Sequence, residues 1–338
     1  MLKELYHNWN SLMPNVTPFY AIKCNPNIQV VKTLVDLGCS FDCASPNEIS
    51  LVLNLGGCNS KIIYANPCKK TTDIKFALCH SINLIVADSI CELEKIYTHY
   101  GTSANIVIRI YACDPDAHCL LSSKYGAHED EWKSLILKCN TLNLNITGVS
   151  FHVGSGAKNA YIYNNSIMSA IKFKNLAKEL CNFNVSLLDI GGGFTVKLLP
   201  EIAKVVNATL NENPVFDSVI AEPGRYFVEN IARLYTRVIG IKNNNYYLTD
   251  GMYGSFNCSI YDHKKLIPKT LHATKQKTKC ILWGPTCDSF DKIGAFTLSE
   301  MKYGDWILWE NVGAYTVSGS CDFNGINFTN PITIYETD

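Results

Sequence analysis

Between Pro18 and Gly224 a short apolar or β-branched run recurs eight times at fairly even intervals: FYAIK, SFDCAS, IIYANP, LIVADS, NIVIRI, ITGVSFHV, SLLDIGGG and VIAEPG. Runs this short and this continuously apolar read as strands buried on both faces, because a strand with one wet face alternates instead. The stretches between them, such as IQVVKTLVDLG and ISLVLNLGG, carry apolar residues at helical spacing. Strands that alternate with helices pair in parallel through crossover connections. Eight such units predict a closed (β/α)8 barrel, of the TIM-barrel class. A doubly wound open sheet has the same periodicity, so the strand pattern alone leaves closure undecided.

After Arg225 the texture changes to the strand-like runs RLYTRVIGI, NYYLT, KCILWG, DWILWE and PITIYE, separated by the turn signals NNN, DG and YGD. This predicts an antiparallel β domain, sandwich- or barrel-like, so that residues 1–228 form the barrel and 229–338 the C-terminal β domain. A chain of 338 residues exceeds the size at which one core usually divides, which agrees. Lys plus Arg and Asp plus Glu balance at 30 each, so no field favours nucleic acid or a membrane surface. The N-terminus MLKELYHNWNSLMPN has no apolar signal core, and no run approaches the roughly 18 apolar residues of a membrane span. A soluble, cytoplasmic protein is expected. The 15 cysteines fall mostly inside apolar runs, with neither CxxC pairs nor Cys/His zinc spacing, which predicts reduced thiols and no metal.

Polar residues collect where the barrel strands end: Lys23, Asp42 with Ser45, Asn66, Asp88, Arg109, His152, Gly191 to Gly193, and Glu222 with Arg225. In a barrel these ends open onto one face, the one that carries active sites. Any single one of them is explained equally well by contact with solvent. As a set they hold a lysine, arginines, a histidine and carboxylates. Three consecutive glycines after LLDI let backbone amides approach an anion, and EPGRYF adds another glycine and an arginine fitted to phosphate. A phosphate site beside a strand-end lysine points to pyridoxal phosphate, whose aldehyde a lysine amine holds as a Schiff base. Lys23 supplies the amine and Glu222 a carboxylate for the pyridinium nitrogen. His152, followed by the anion-friendly turn Gly154–Ser155–Gly156, is placed to stack on the ring.

The segments PFYAIKCN, FDCASPNEI, IIYANPCK, FHVGSG, LLDIGGGF, AEPGRY, DGMYGSFNC, WGPTCDSFD and GDWILWENVGAYT, in that order, resemble the eukaryotic ornithine decarboxylase family, group IV pyridoxal-phosphate decarboxylases of alanine-racemase-like fold. The resemblance implies decarboxylation of L-ornithine to putrescine and carbon dioxide, the first step of polyamine biosynthesis, by an obligate homodimer with shared active sites. It assigns the Schiff base to Lys23, ring stacking to His152 and the ring nitrogen to Glu222. Ser155, Gly192, the stretch from Glu222 through Gly224 and Arg225, and Tyr315 would bind the phosphate, and Asp42, Glu48 and Arg109 would shape the site near the lysine.

The same resemblance makes Cys287 the proton donor to Cα, and a thiol suits that task because its ordinary pKa lies near neutrality. Asp288 and Asp262 would grip the distal ammonium of a diamino acid. Cys287, Asp288, Tyr253 and Phe323 would come from the partner subunit, with Lys124 and Asp291 pairing across the interface. Lysine is a close competitor as substrate, since one methylene is worth only about 1–3 kcal/mol in a pocket. A non-catalytic antizyme-inhibitor-like protein would have lost cofactor and catalytic residues that are present here. Antizyme would dock near Lys69, Lys70 and Lys75, although a solvated helix face explains these lysines equally well. The chain starts just before the first barrel strand, where the family has a further segment contributing to the β domain. It stops at PITIYETD, without the extended C-terminal tail that marks vertebrate members for rapid degradation, its loop after GGGF is short, and Ser289 stands where a glycine is usual.

Overall fold

The computed structural model describes residues 1–112, 124–272, 276–329 and 331–335. Strands β1 (Thr17–Ala21), β2 (Ser40–Cys43), β3 (Ile62–Tyr64), β4 (Leu84–Ala87), β5 (Asn105–Arg109), β6 (Asn145–Ser150), β7 (Leu187–Asp189) and β8 (Ser218–Ala221) form a closed parallel barrel in sequence order. Closure is made by β8 pairing with β1, Thr17 opposite Ile220 and Pro18 opposite Ala221, which excludes the open sheet. Phe19, Ile63, Val86, Val107, Leu187 and Ile220 pack together as one core cluster.

The turns leaving the strands end on helix caps. Asn27 Oδ1 accepts from the amides of Gln29 and Val30, Ser45 Oγ from Glu48, and Ser89 Oγ from Glu92. Each such cap contributes about 1 kcal/mol and fixes a loop on the C-terminal face of the barrel.

The N-terminal residues, read above only for the absence of a leader, form an amphipathic helix, Leu2–Leu12. Its Trp9 is fully buried, donates Nε1–H to Val16 O at 2.9 Å, and packs edge-on against Phe194 and Tyr226. Those two aromatics directly follow the triple-glycine and EPGR turns, so the helix braces both loops from behind.

The chain divides into two compact units, Met1–Phe227 and Val228–Asp338. The second holds β9 (Leu234–Lys242), β10 (Asn245–Leu248), β11 (Pro268–Thr270), β12 (Lys277–Trp283), β13 (Lys292–Ser299) and β14 (Trp306–Trp309) in one sheet ordered β11-β14-β9-β10-β12-β13. Val238, Leu248, Phe256, Leu282, Ile307 and Trp309 form its core. Two expectations are corrected. The sheet is mostly but not wholly antiparallel: β10 runs parallel to β12, which the long connection between them permits and a hairpin would not. PITIYE makes no strand over 331–335, where Ile332 and Ile334 are exposed; its alternation finds no partner strand. Among the described residues every cysteine is a free thiol, and no helix is long and apolar enough to cross a membrane.

Candidate active site at the barrel mouth

Parallel strand order sends every C-terminal strand end to one face, and the polar residues arrive there together. Lys23 lies in the 3-10 turn Ile22–Cys24 directly after β1, and its Nζ sits 2.5 Å from Oδ2 of the fully buried Asp42 near the end of β2. The lysine is held by a charge that has no water of its own, yet its side chain keeps about a third of its surface, 38%, open. Arg109 ends β5, His152 follows β6 and Glu222 follows β8. Arg109, Ser150, His152, Asp189 and Glu222 line one small pocket with Ala65, Val86 and Phe151. His152 is buried, and burial together with the Arg109 and Lys23 charges pushes its pKa well below the usual value, leaving a neutral ring. Glu48, at the start of the helix Pro46–Asn54, is pushed up to about 7 by burial, with the Asp42 charge adding to the effect.

Glycine is a steric necessity in the loop after β7. A side chain on Gly192 would put its Cβ 2.7 Å from His152 Nε2 and 3.0 Å from Glu222 O. Gly191 and Gly193 adopt φ of 63° and 106°, which disfavour other residues. Gly154 and Gly156, also at positive φ, flank Ser155, whose Oγ accepts from Arg225 Nη2 at 3.0 Å. Gly224 sits where a Cβ would lie 2.9 Å from Cys24 Cβ, so the EPG turn packs directly on the turn bearing Lys23. The predicted phosphate residues of the barrel thus converge.

Sequence reading missed Asp189, the last residue of β7. It is fully buried, accepts from Gly191 N at 2.9 Å, and faces the Glu222 carboxyl. Burial raises both, Asp189 to about 7 and Glu222 well above its usual range, with the Asp189 charge adding to the cost at Glu222 and the hydrogen bond between the two easing it at Asp189. The available signal was the aspartate of LLDIGGGF, which passes for a turn residue. Among the described residues, Asp42 Oδ1 and Ser150 Oγ are buried with no hydrogen-bond partner. Orphaned buried acceptors are costly and call for a polar, cationic ligand. A ring with a protonated nitrogen, an aldehyde within reach of Lys23 and a phosphate for the glycine turns fits that set.

The remaining predicted residues lie in the second unit. Tyr253 and Phe323 stack with ring centres 4.3 Å apart, and Tyr253 donates its hydroxyl hydrogen to Asp288 Oδ2, which lowers the aspartate's pKa. The exposed Cys287 donates its amide to Asn324 Oδ1 at 3.0 Å. Asp262 is buried, and Tyr315 adopts a left-handed φ of 55°. Asp291, only 1% exposed, accepts from Met252 N, Thr286 N and Thr286 Oγ1. Lys124 is exposed and lies against Tyr125. The expectation for Lys69 is corrected. Its Nζ is fully buried, bonded to Glu92 at 2.9 Å and to the carbonyls of Asn66 and Val86, and it belongs to no docking surface or solvated face; Lys70 and Lys75 are exposed.

Comparison with known proteins bears on these features. The family described as pyridoxal-dependent decarboxylase, pyridoxal binding domain, matches residues 1–229. A probable ornithine decarboxylase of Dictyostelium discoideum is 39% identical over 347 residues, covering 95% of this chain and 74% of that protein. Antizyme inhibitor 2 of Xenopus laevis is also 39% identical, over 341 residues, with 93% and 74% covered. Among solved structures, the arginine decarboxylase of Paramecium bursaria Chlorella virus superposes with a TM-score of 0.91 at 33% identity, over 96% of this chain and 91% of the other.

Proposed function

The chain belongs to the pyridoxal-dependent decarboxylase family, and we propose that it removes the α-carboxyl group of L-ornithine, leaving putrescine and carbon dioxide. The observation that carries this reading is the meeting of Lys23, bonded to Asp42, with Glu222 and His152 at one barrel mouth. Overall identity alone does not separate an enzyme from an antizyme inhibitor, since both relatives stand at 39%. The retained lysine, buried carboxyls and glycine turns favour catalysis.

In this reading Lys23 would hold the aldehyde carbon of pyridoxal phosphate, with Asp42 keeping the amine in place and governing its proton. Glu222 would pair with the pyridine nitrogen and keep it protonated. His152, being neutral, packs against the ring without repelling that charge. Arg225, Ser155 and the turns at Gly154–Gly156 and Gly191–Gly193 would take the phosphate, together with Gly224 and Tyr315, while Arg109 would shape the site near the lysine. Bound pyridoxal phosphate supplies an electron sink for the carbon from which carbon dioxide departs. Cys287 returns a proton to that carbon. Asp288, held ionised by Tyr253, and the buried Asp262 draw in the distal ammonium, a pairing that rejects amino acids lacking one because the carboxylates would be left unmatched.

We infer in addition that Cys287, Asp288, Tyr253 and Phe323 serve the barrel of a second copy, so that the homodimer is the active form. The test is a decarboxylation assay on the reconstituted protein with ornithine, lysine and arginine side by side, ornithine being preferred. Lys23→Ala should abolish activity together with the visible absorbance of the bound cofactor. Mixing Lys23→Ala with Cys287→Ala should restore part of the activity, because a mixed dimer carries one intact site. A folded wild-type protein that binds no pyridoxal phosphate would refute the enzyme reading.

A further inference from the structure

We propose that Asp189 is a positioning residue for the cofactor ring: its buried carboxyl shares one proton with Glu222, so that the pair presents a single negative charge to the ring nitrogen. This rests on the cofactor reading above and adds a residue to it. Asp189 Oδ1 accepts from Gly191 N at 2.9 Å, and Gly191 O in turn accepts from Glu222 N at 2.7 Å, so one short turn ties the two carboxyls together. Both side chains line the same pocket, and Asp189 is entirely shielded from solvent. Asp189 Oδ2 has no other partner among the described residues; what faces it is Glu222, and two carboxyls can bond only if one is protonated.

The other charged and titratable groups around the pair are Asp42 from β2, Arg109 from β5, Lys23 after β1 and the neutral His152 after β6. Burial, then the Asp189 and Asp42 charges, oppose ionisation of Glu222, whereas Lys23 and Arg109 favour it. The balance leaves Asp189 at about 7 and Glu222 well above its usual range. One retained proton follows, so the pair carries a single negative charge. That proton bridges the two carboxyls and fixes the orientation of Glu222.

Asp189→Asn keeps an acceptor for Gly191 N and offers an N–H to Glu222, imitating the protonated acid, whereas Asp189→Ala loses both. Two measurements on the holoenzyme and on cofactor titrations of the stripped protein decide the matter. An infrared difference spectrum at pH 6, wild type minus Asn variant, should contain the carbonyl stretch of a protonated buried carboxylic acid that shifts in D2O. Pyridoxal phosphate affinity should stay within about threefold of wild type in the Asn variant and fall about tenfold in the Ala variant. A difference spectrum without that band overturns the shared proton, and an Asn variant as weak as Ala means that Asp189 acts as an anion. Failure of the wild type itself to take up pyridoxal phosphate would instead overturn the cofactor reading, and this assignment with it.

Discussion

Replacing Glu48 with glutamine isolates the cost of burying a carboxylate beside Lys23. Glu48 accepts from Ala44 N at 2.5 Å and is pushed from 4.5 to about 7, by burial first and then by Asp42, with Lys23 and the Ala44 amide working the other way. The folded state therefore holds this proton more tightly than the unfolded chain. The associated stability is fully present below pH 4.5 and is lost as pH rises towards 7. At 1.36 kcal/mol per pKa unit the whole loss is about 3 kcal/mol, of which about 2.5 falls between pH 5 and pH 8. Glutamine does not titrate. Urea unfolding of the barrel unit, followed by circular dichroism on cofactor-free protein at pH 5, 6, 7 and 8, gives the variant minus wild-type difference, in which all other titrations cancel. That difference should grow in favour of Glu48→Gln by about 2.5 kcal/mol, mostly below pH 7. A difference flat to within about 0.5 kcal/mol, or one that falls with pH, would mean that Lys23 keeps Glu48 ionised in the fold and that the burial argument is wrong.

Gly192→Ala should overpack the His152 and Glu222 contacts, at a cost of about 1–3 kcal/mol, and weaken cofactor binding in equilibrium dialysis; undiminished affinity would show that the loop yields. Lys69→Met leaves Glu92 buried with Lys95 and the residue-69 amide as its partners and should destabilise the barrel by about 3 kcal/mol in thermal or urea unfolding. Adding Glu92→Leu should recover much of that loss. Trp9→Ala removes the aromatic brace behind both glycine turns and should cost about 3–5 kcal/mol, with cofactor affinity falling alongside stability.

What could be read from the sequence was whatever burial imposes locally. The eight barrel strands stood out because a strand covered on both faces must be apolar throughout, and Lys23 and Glu222 because, with the arginines and histidine at the other strand ends and the glycine turns, they made up one set suited to a phosphate-bearing cofactor. The pairing of β10 with β12 was not legible, since strand order depends on the path of the chain between strands and leaves no local pattern. PITIYE misled for the same reason: alternation describes a strand's faces but says nothing of whether a neighbour exists to bond its edge.

Buried charge is where sequence reading failed most consistently, and the cause is physical. Lys69 and Asp189 look like a helix-start lysine and a turn aspartate, because burial and pairing come from residues 23 and 33 positions away: Glu92 for the lysine, Glu222 for the aspartate. A carboxyl's local sequence is the same whether or not it is ionised; only the fold decides that, by setting what faces it and excluding water. The two ends of the barrel mouth use this differently. Lys69 and Glu92 neutralise each other and fix the loop after β3, so the chemistry has no charge to draw from them. Asp189 and Glu222 are two acids that together keep one negative charge, and the fold holds them together at a cost that a protonated ring nitrogen would offset. That asymmetry identifies the second pair, not the first, as the place where the barrel is built around its ligand.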